Sequence, residues 1–321
     1  MSHFTVIVVG SNVVEQMEPY AEQDFDEQYA KFEDTEDNSL EEYKNKEVDI
    51  VVLADGSLHN KYEEQFRHYD SKSFSSNYTY PEGAVIRKGK FTELYPTFEE
   101  YMAEWNGSSH RDAKMGRYGY WHNPNSRWDW WIPGGRWMGF FKAKEGSYGE
   151  VGEPGAFDNK AKDGWVDSIK LKDIDIEGML EESIKEANET YDKLESILKG
   201  RPLPSWNAIR DKHGVENIEA ARSEYNSLQV VKDFHEAKFH VFGDFVETFC
   251  NSREEYVEKC KNQTMVPYAV VKDGKWYQKG EMGWWGMSND EMSQDEWNKK
   301  FWEMINSLDP ETELNLLDCH I

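Results

Sequence analysis

Cysteine is scarce: Cys250, Cys260 and Cys319 are three in 321 residues, an odd number with no C-x-x-C spacing. Neither a disulfide framework nor a cysteine zinc site is indicated, and a reducing compartment fits this usage. Long apolar runs are missing too. No stretch approaches the roughly 18 residues of a membrane-spanning helix, and the opening MSHFTVIVVG has no basic n-region, so it is expected to be a strand and not a secretory signal. Positive charge is also short, with 37 Lys and Arg against 62 Asp and Glu and a net charge of −25. That balance opposes binding to a phosphate backbone or an anionic membrane surface, because both draw their affinity from Lys and Arg. A strongly acidic surface serves solubility, or imitates nucleic acid towards a basic partner protein. Neither G-x-G-x-x-G nor G-x-x-x-x-G-K-[ST] occurs, so Gly10-Ser11-Asn12 after the first strand reads as a strand-ending turn.

Aromatic residues are plentiful. They make up 14% of a chain that is only 38% hydrophobic, which describes a folded protein whose core relies on Trp, Tyr and Phe. The pattern predicts a single α+β domain over 1–321, mainly antiparallel sheet, with an acidic surface insertion at 11–46 and a helical insertion at 173–236. Residues 3–9 and 47–57 read as strands, 61–69 as a short helix and 70–83 as an irregular loop. From Glu15 to Asp49 fourteen acidic residues face three lysines, the mark of a solvated loop or short surface helices. Asp175 caps a helix whose apolar positions recur at three- and four-residue steps up to Gly200, and Pro202 and Pro204 end it. A shorter helix at 206–212 and a longer one from Glu216 to about His235 follow. Ser293-x-x-Glu296 is a capping box opening a helix through Leu308. The closing run ELNLLDCHI reads as a strand that pairs near the first one.

Self-comparison finds an internal echo. GKFTELYPTFEEY at 89–101 resembles GDFVETFCNSREEY at 243–256, and Thr97-x-x-Glu100 and Ser252-x-x-Glu255 are both capping boxes. YGYWHNPNSRWDWW (118–131) and YAVVKDGKWYQKG (268–280) each read as strand, polar turn and return strand, and GGRWMGF and MGWWGM follow them. The expectation is a pair of pseudo-repeats, 84–142 and 239–288, with the helical segment between them; few identities in an aromatic-rich chain leave chance similarity as the alternative.

The stretch RWDWWIPGGRWMGFF at 127–141 holds four of the thirteen tryptophans around a Pro-Gly-Gly turn, with an arginine on each side. Two readings stand. Trp128, Trp130, Trp137, Trp284 and Trp285 stack on a planar ligand while Arg127 and Arg136 hold its anionic group; or the tryptophans fill a core and the arginines pair with surplus carboxylates. Glu281, just before Met282-Gly283-Trp284-Trp285, is a candidate acid for a Trp-lined pocket, with a surface loop position as the alternative. Asp318 and His320 fall on one face of the last strand and Cys319 on the other. They suit acid–base chemistry or metal ligation, with terminal capping of the fold as the alternative; two residues make no metal site, and neither metal nor cofactor is expected. His3-Phe4-Thr5 has the H-x-T form of two-histidine phosphoesterases, but His240 is followed by Val241-Phe242, so no second copy exists.

The opening MSHFTVIVVG, the central NPNSRWDWWIPGGRW and GFF, the later GKWYQKGEMGWW and the closing LLDCHI together resemble a family of uncharacterised tailed-phage and prophage proteins. The resemblance covers both ends and the two Trp-rich segments, and implies a phage accessory protein in the host bacterial cytoplasm. It implies no established activity, cofactor or catalytic residue. The expected function is binding of a planar, nucleotide-derived anion to counter host defence. The alternatives are a hydrolase acting on such a ligand at the same pocket through Glu281 or Asp318 and His320, and an acidic inhibitor whose 15–49 face docks on a host enzyme.

Overall fold

The computed structural model describes residues 2–70, 75–156, 158–241, 243–282 and 288–321. The fold is α+β with mainly antiparallel sheet. The chain, read from sequence as one domain, clusters into two compact units: Met1–Ala21 with Ser126–Ile321, and Glu22–Asn125.

The first unit is organised by a seven-stranded sheet: β1 (His3–Val9), β2 (Trp130–Gly135), β3 (Glu153–Pro154), β4 (Ser168–Lys170), β5 (Ala269–Lys272), β6 (Lys275–Gln278) and β7 (Glu313–His320). Its order is β3-β2-β7-β1-β5-β6, and β4 also pairs with β7. As expected, the last strand lies beside the first: β7 runs antiparallel to β1 from His3↔His320 to Val9↔Leu314. Backbone bonds between Ser2 and Ile321 extend the ladder past the strand ends.

Period-two alternation decides what each strand gives to either face. Ile7, Val9, Val270, Leu314 and Leu316 pack against Trp297, Phe301 and Ile305 of the helix Gln294–Asn306. Ser293 caps that helix and Glu296 returns the bond, as its sequence predicts. Phe4, Val6, Val8, Leu317 and Cys319 face the other way, onto Met17, Trp128, Trp131 and Trp276. Burial of Cys319 pushes its thiol pKa well up, as expected for an inert core thiol.

The helical segment forms its own core. Asp175 caps the helix Ile176–Leu198, which ends at Lys199 in the left-handed conformation, and Leu194 packs with Val230, Val231, Phe234, Phe245 and Phe249. The single helix expected over 216–235 is two, Ile218–Ser227 and Gln229–Glu236, because Leu228 is extended. The break lets Val230, Val231 and Phe234 turn into that core.

In the second unit, Glu47–Val52 pairs with Leu58–Asn60 and Val85–Lys90, and Tyr43, Phe91, Tyr101, Met102 and Tyr118 form an aromatic core. Where a helix and a loop were expected, Arg67–Asp70 and Ser75–Tyr78 pair as strands. The acidic run is built into regular structure: Lys31–Asp34 pairs with Gly119–His122, and Glu36–Asn45 is a helix.

The two echoed segments share local features and differ in pairing. Phe91 and Phe245 both open short helices as buried residues, and Thr97 and Ser252 both accept an N–H from the glutamate three residues on. Beyond that the copies part. β5 and β6 form a hairpin whose turn, Asp273-Gly274, has positive φ at both residues, the geometry that a two-residue connection requires. Gly119–His122 and Trp130–Gly135 make no hairpin, since the first pairs with Lys31–Asp34 and the second with β7. Seven residues separate those two strands, including Pro124, which has no N–H for a ladder.

Candidate functional site: two carboxylate-bound histidines

One end of the sheet gathers polar side chains on the face otherwise occupied by Ile7, Leu314 and Leu316. β1 contributes His3, β7 contributes Asp318 and His320, and the entrance to β2 contributes Asp129 and Trp130. Register brings them together: His3 lies opposite His320, and His320 opposite Trp130.

Asp318 and His320 share a face, yet they do not pair with each other. Asp318 Oδ1 accepts from His3 Nδ1 at 2.8 Å, and Asp129 Oδ1 accepts from His320 Nδ1 at 2.6 Å. The Asp129 backbone N–H also donates to the His320 carbonyl at 2.9 Å, so that dyad is held by main chain and side chain together. The other dyad is deeper: side-chain exposure is 13% and 1% for His3 and Asp318, against 6% and 24% for His320 and Asp129. Asp318 Oδ2 takes a further bond from the Arg136 backbone N–H at 2.9 Å.

The two imidazoles and the Trp130 indole form a nearly equilateral group. Centroids are 4.9 Å apart for His3 and His320, 5.1 Å for His3 and Trp130 and 5.0 Å for Trp130 and His320. Trp130 and His320 are stacked at 15°, and His3 stands edge-on to both. Carboxylates accepting at both Nδ1 atoms favour the tautomer with its proton there. Among the described residues no hydrogen bond reaches either Nε2. Such an imidazole accepts a proton at Nε2 when neutral and donates one there when charged, so two side by side can serve as base and acid in one reaction.

The Pro-Gly-Gly turn shapes the back of this site. Gly134 and Gly135 both have positive φ. A Cβ on Gly135 would overlap the Asp318 side chain, and one on Gly134 would press on Asp167. Asp167 is buried and accepts N–H bonds from Gly139, Phe140 and Gly152 at 2.8–3.1 Å; burial nevertheless pushes its carboxyl pKa up. The two glycines let the main chain close on two buried carboxylates, which a residue with a side chain would prevent.

The aromatic residues proposed from sequence as one wall are placed apart. Trp130 is in the site and 40% exposed. Trp128 packs in the core of the opposite face, its Nε1 donating to the Met17 carbonyl at 3.1 Å. Trp137 packs against the Trp297 core and lines a separate cavity of about 540 Å³ with Trp165 and Lys162. Arg127 donates through Nη1 to the Ser126 carbonyl, and its buried Nε has no partner among the described residues. Arg136 is exposed, its main chain fixed to Asp318. Glu281 is exposed, on the short strand Glu281–Met282 that pairs with Ser288–Asn289. Trp284 and Trp285 lie outside the described residues.

His3 and Asp129 are the members that sequence reasoning left out. His3 was set aside for want of a second H-x-T motif. The signal for it was the expected pairing of the two end strands: with Phe4 and Cys319 facing one way, His3 and His320 must face the other. For Asp129, flanked by tryptophans, no comparable signal exists.

Among the described residues no group of three or more His, Cys, Asp or Glu is placed to hold a metal ion, and no helix is long and apolar enough to cross a membrane. Compared with protein-family models, curated proteins and solved structures, the chain has no match.

Proposed function

We propose that the protein is a hydrolase in which His3 and His320 act as a general acid–base pair on a small anionic ester. The observation that carries this reading is the pair of dyads: two neighbouring imidazoles, each fixed at Nδ1 by a carboxylate, with no hydrogen bond to either Nε2 among the described residues. One Nε2 takes a proton from water as its oxygen attacks the ester centre. The other, entering protonated, gives its proton to the oxygen that leaves, and product release with proton exchange restores the pair. Asp318 and Asp129 orient the rings through their Nδ1 atoms. Arg136, anchored to Asp318 through its main chain, is the cation proposed to hold the anion.

This favours the enzyme over a simple binder, because a binding wall needs neither two dyads nor a shared face. The phage resemblance supports setting the activity in an infected bacterial cytoplasm, directed at a small molecule of host defence. Incubation of the whole chain with nucleotides and cyclic dinucleotides, followed by mass spectrometry, tests the reading. Turnover is expected, slowed by about 100-fold or more in His3→Ala and in His320→Ala. Intact ligands throughout, or turnover indifferent to both substitutions, would remove the enzyme reading.

A further inference from the structure

Resting on that reading, we infer that the substrate is a nucleoside phosphodiester whose base stacks on the outer face of Trp130. One face of this indole covers His320 in a near-parallel stack, while His3 stands at the side of that stack. The indole is still 40% exposed, unlike Trp128 and Trp131, which pack into the opposite core. A base laid on the face away from His320 would add a stacking interval of about 3.5 Å to the 5.0 Å between the Trp130 and His320 centroids. A ribose bridges that interval, bringing the phosphate attached to it towards the imidazoles and Arg136.

A phosphodiester suits two imidazoles because its cleavage needs one proton removed from the attacking oxygen and one delivered to the leaving oxygen. Water's oxygen bonds to phosphorus, its proton goes to one Nε2, the bond from phosphorus to the nucleoside oxygen breaks, and the other Nε2 protonates that oxygen. The net charge of −25 opposes long polyanions, which points to a substrate of one or a few nucleotides.

The test compares the dinucleoside phosphodiester ApA with glycerophosphoethanolamine, a phosphodiester without a ring, in the whole chain and in Trp130→Ala and Trp130→Phe. Trp130→Ala is expected to raise KM for ApA about tenfold more than KM for the ring-free diester, and Trp130→Phe is expected to recover most of that difference. Equal losses on both diesters would mean that Trp130 only packs against His320, which overturns the inference. If the parent cleaves neither, calorimetric binding of ApA separates the two proposals. Binding lost in Trp130→Ala keeps the stacking site while the hydrolase reading falls, and no binding by the parent removes both.

Discussion

Carboxylates are held in opposite surroundings at the surface of the second unit and at the site of the first. In the second unit the partners are Arg and Lys at the surface: Arg117 holds Asp34 and Asp37, Arg111 holds Glu36 and Glu99, and Lys61 and Lys88 hold Asp49. In the first unit's site the partners are imidazoles, and Asp318 is almost wholly removed from water. Surface pairs of long side chains are screened, and each contributes little. A buried carboxylate must keep its partners, because losing one strands a polar group out of water. The acidic composition therefore has two uses: ordinary surface pairing, which the first unit also carries in pairs such as Lys172–Glu311 and Lys162–Glu186, and two carboxylates that orient the imidazoles of the site.

Removing the buried carboxylate tests this contrast most severely. Asp318→Ala removes the carboxylate that accepts from His3 Nδ1 and the Arg136 N–H and is expected to cost about 3 kcal/mol. Hydrogen exchange along β1 and β7 would read this as lost protection. Asp129→Ala, at the better solvated dyad, should cost about half as much; equal losses would erase the distinction drawn between the dyads. Gly135→Ala falls between these two, at about 2 kcal/mol, since its φ is +56° and the new methyl would overlap Asp318. Unchanged protection in that variant would show that the glycine is not needed for the close approach.

The smallest expected effect lies in the second unit. Lys61, and then Lys88, hold the Asp49 carboxyl down at about 2. A folded-state value below the unfolded one adds stability that is present above about pH 4 and lost as pH falls towards 2. Asp49→Asn should flatten the acid limb of an unfolding curve for the whole chain in that window, and leave the limb above pH 5 untouched. An equal slope in both proteins would deny Asp49 any part in it.

Much of the local structure was legible in particular residues. Asp175, Ser252 and Ser293 announce helix starts because their side chains satisfy free N–H groups there, whatever surrounds them. The alternation in HFTVIVV and in ELNLLDCH marks two half-buried strands. Legibility failed where a segment's partner is remote. NPNSRWDWW looks like a hairpin beside YAVVKDGKWYQ, but pairing depends on which edge is free. The tryptophans of RWDWWIPGGRW look like one surface, but strand alternation and the glycine turn send Trp130, Trp131 and Trp137 to different places.

Sequence alone determined that Asp318 and His320 share a face, because a strand's two-residue period is a property of the local backbone. It also determined that the chain would be acidic. The tertiary structure decided which carboxylate serves which imidazole. Asp318 finds His3 across 315 residues of sequence, and His320 finds Asp129 across 191. Both choices follow from a sheet register that the whole of the first unit sets. Hydrogen bonds form between neighbours in space, and for these four residues only the paired end strands and the entrance to β2 make them neighbours.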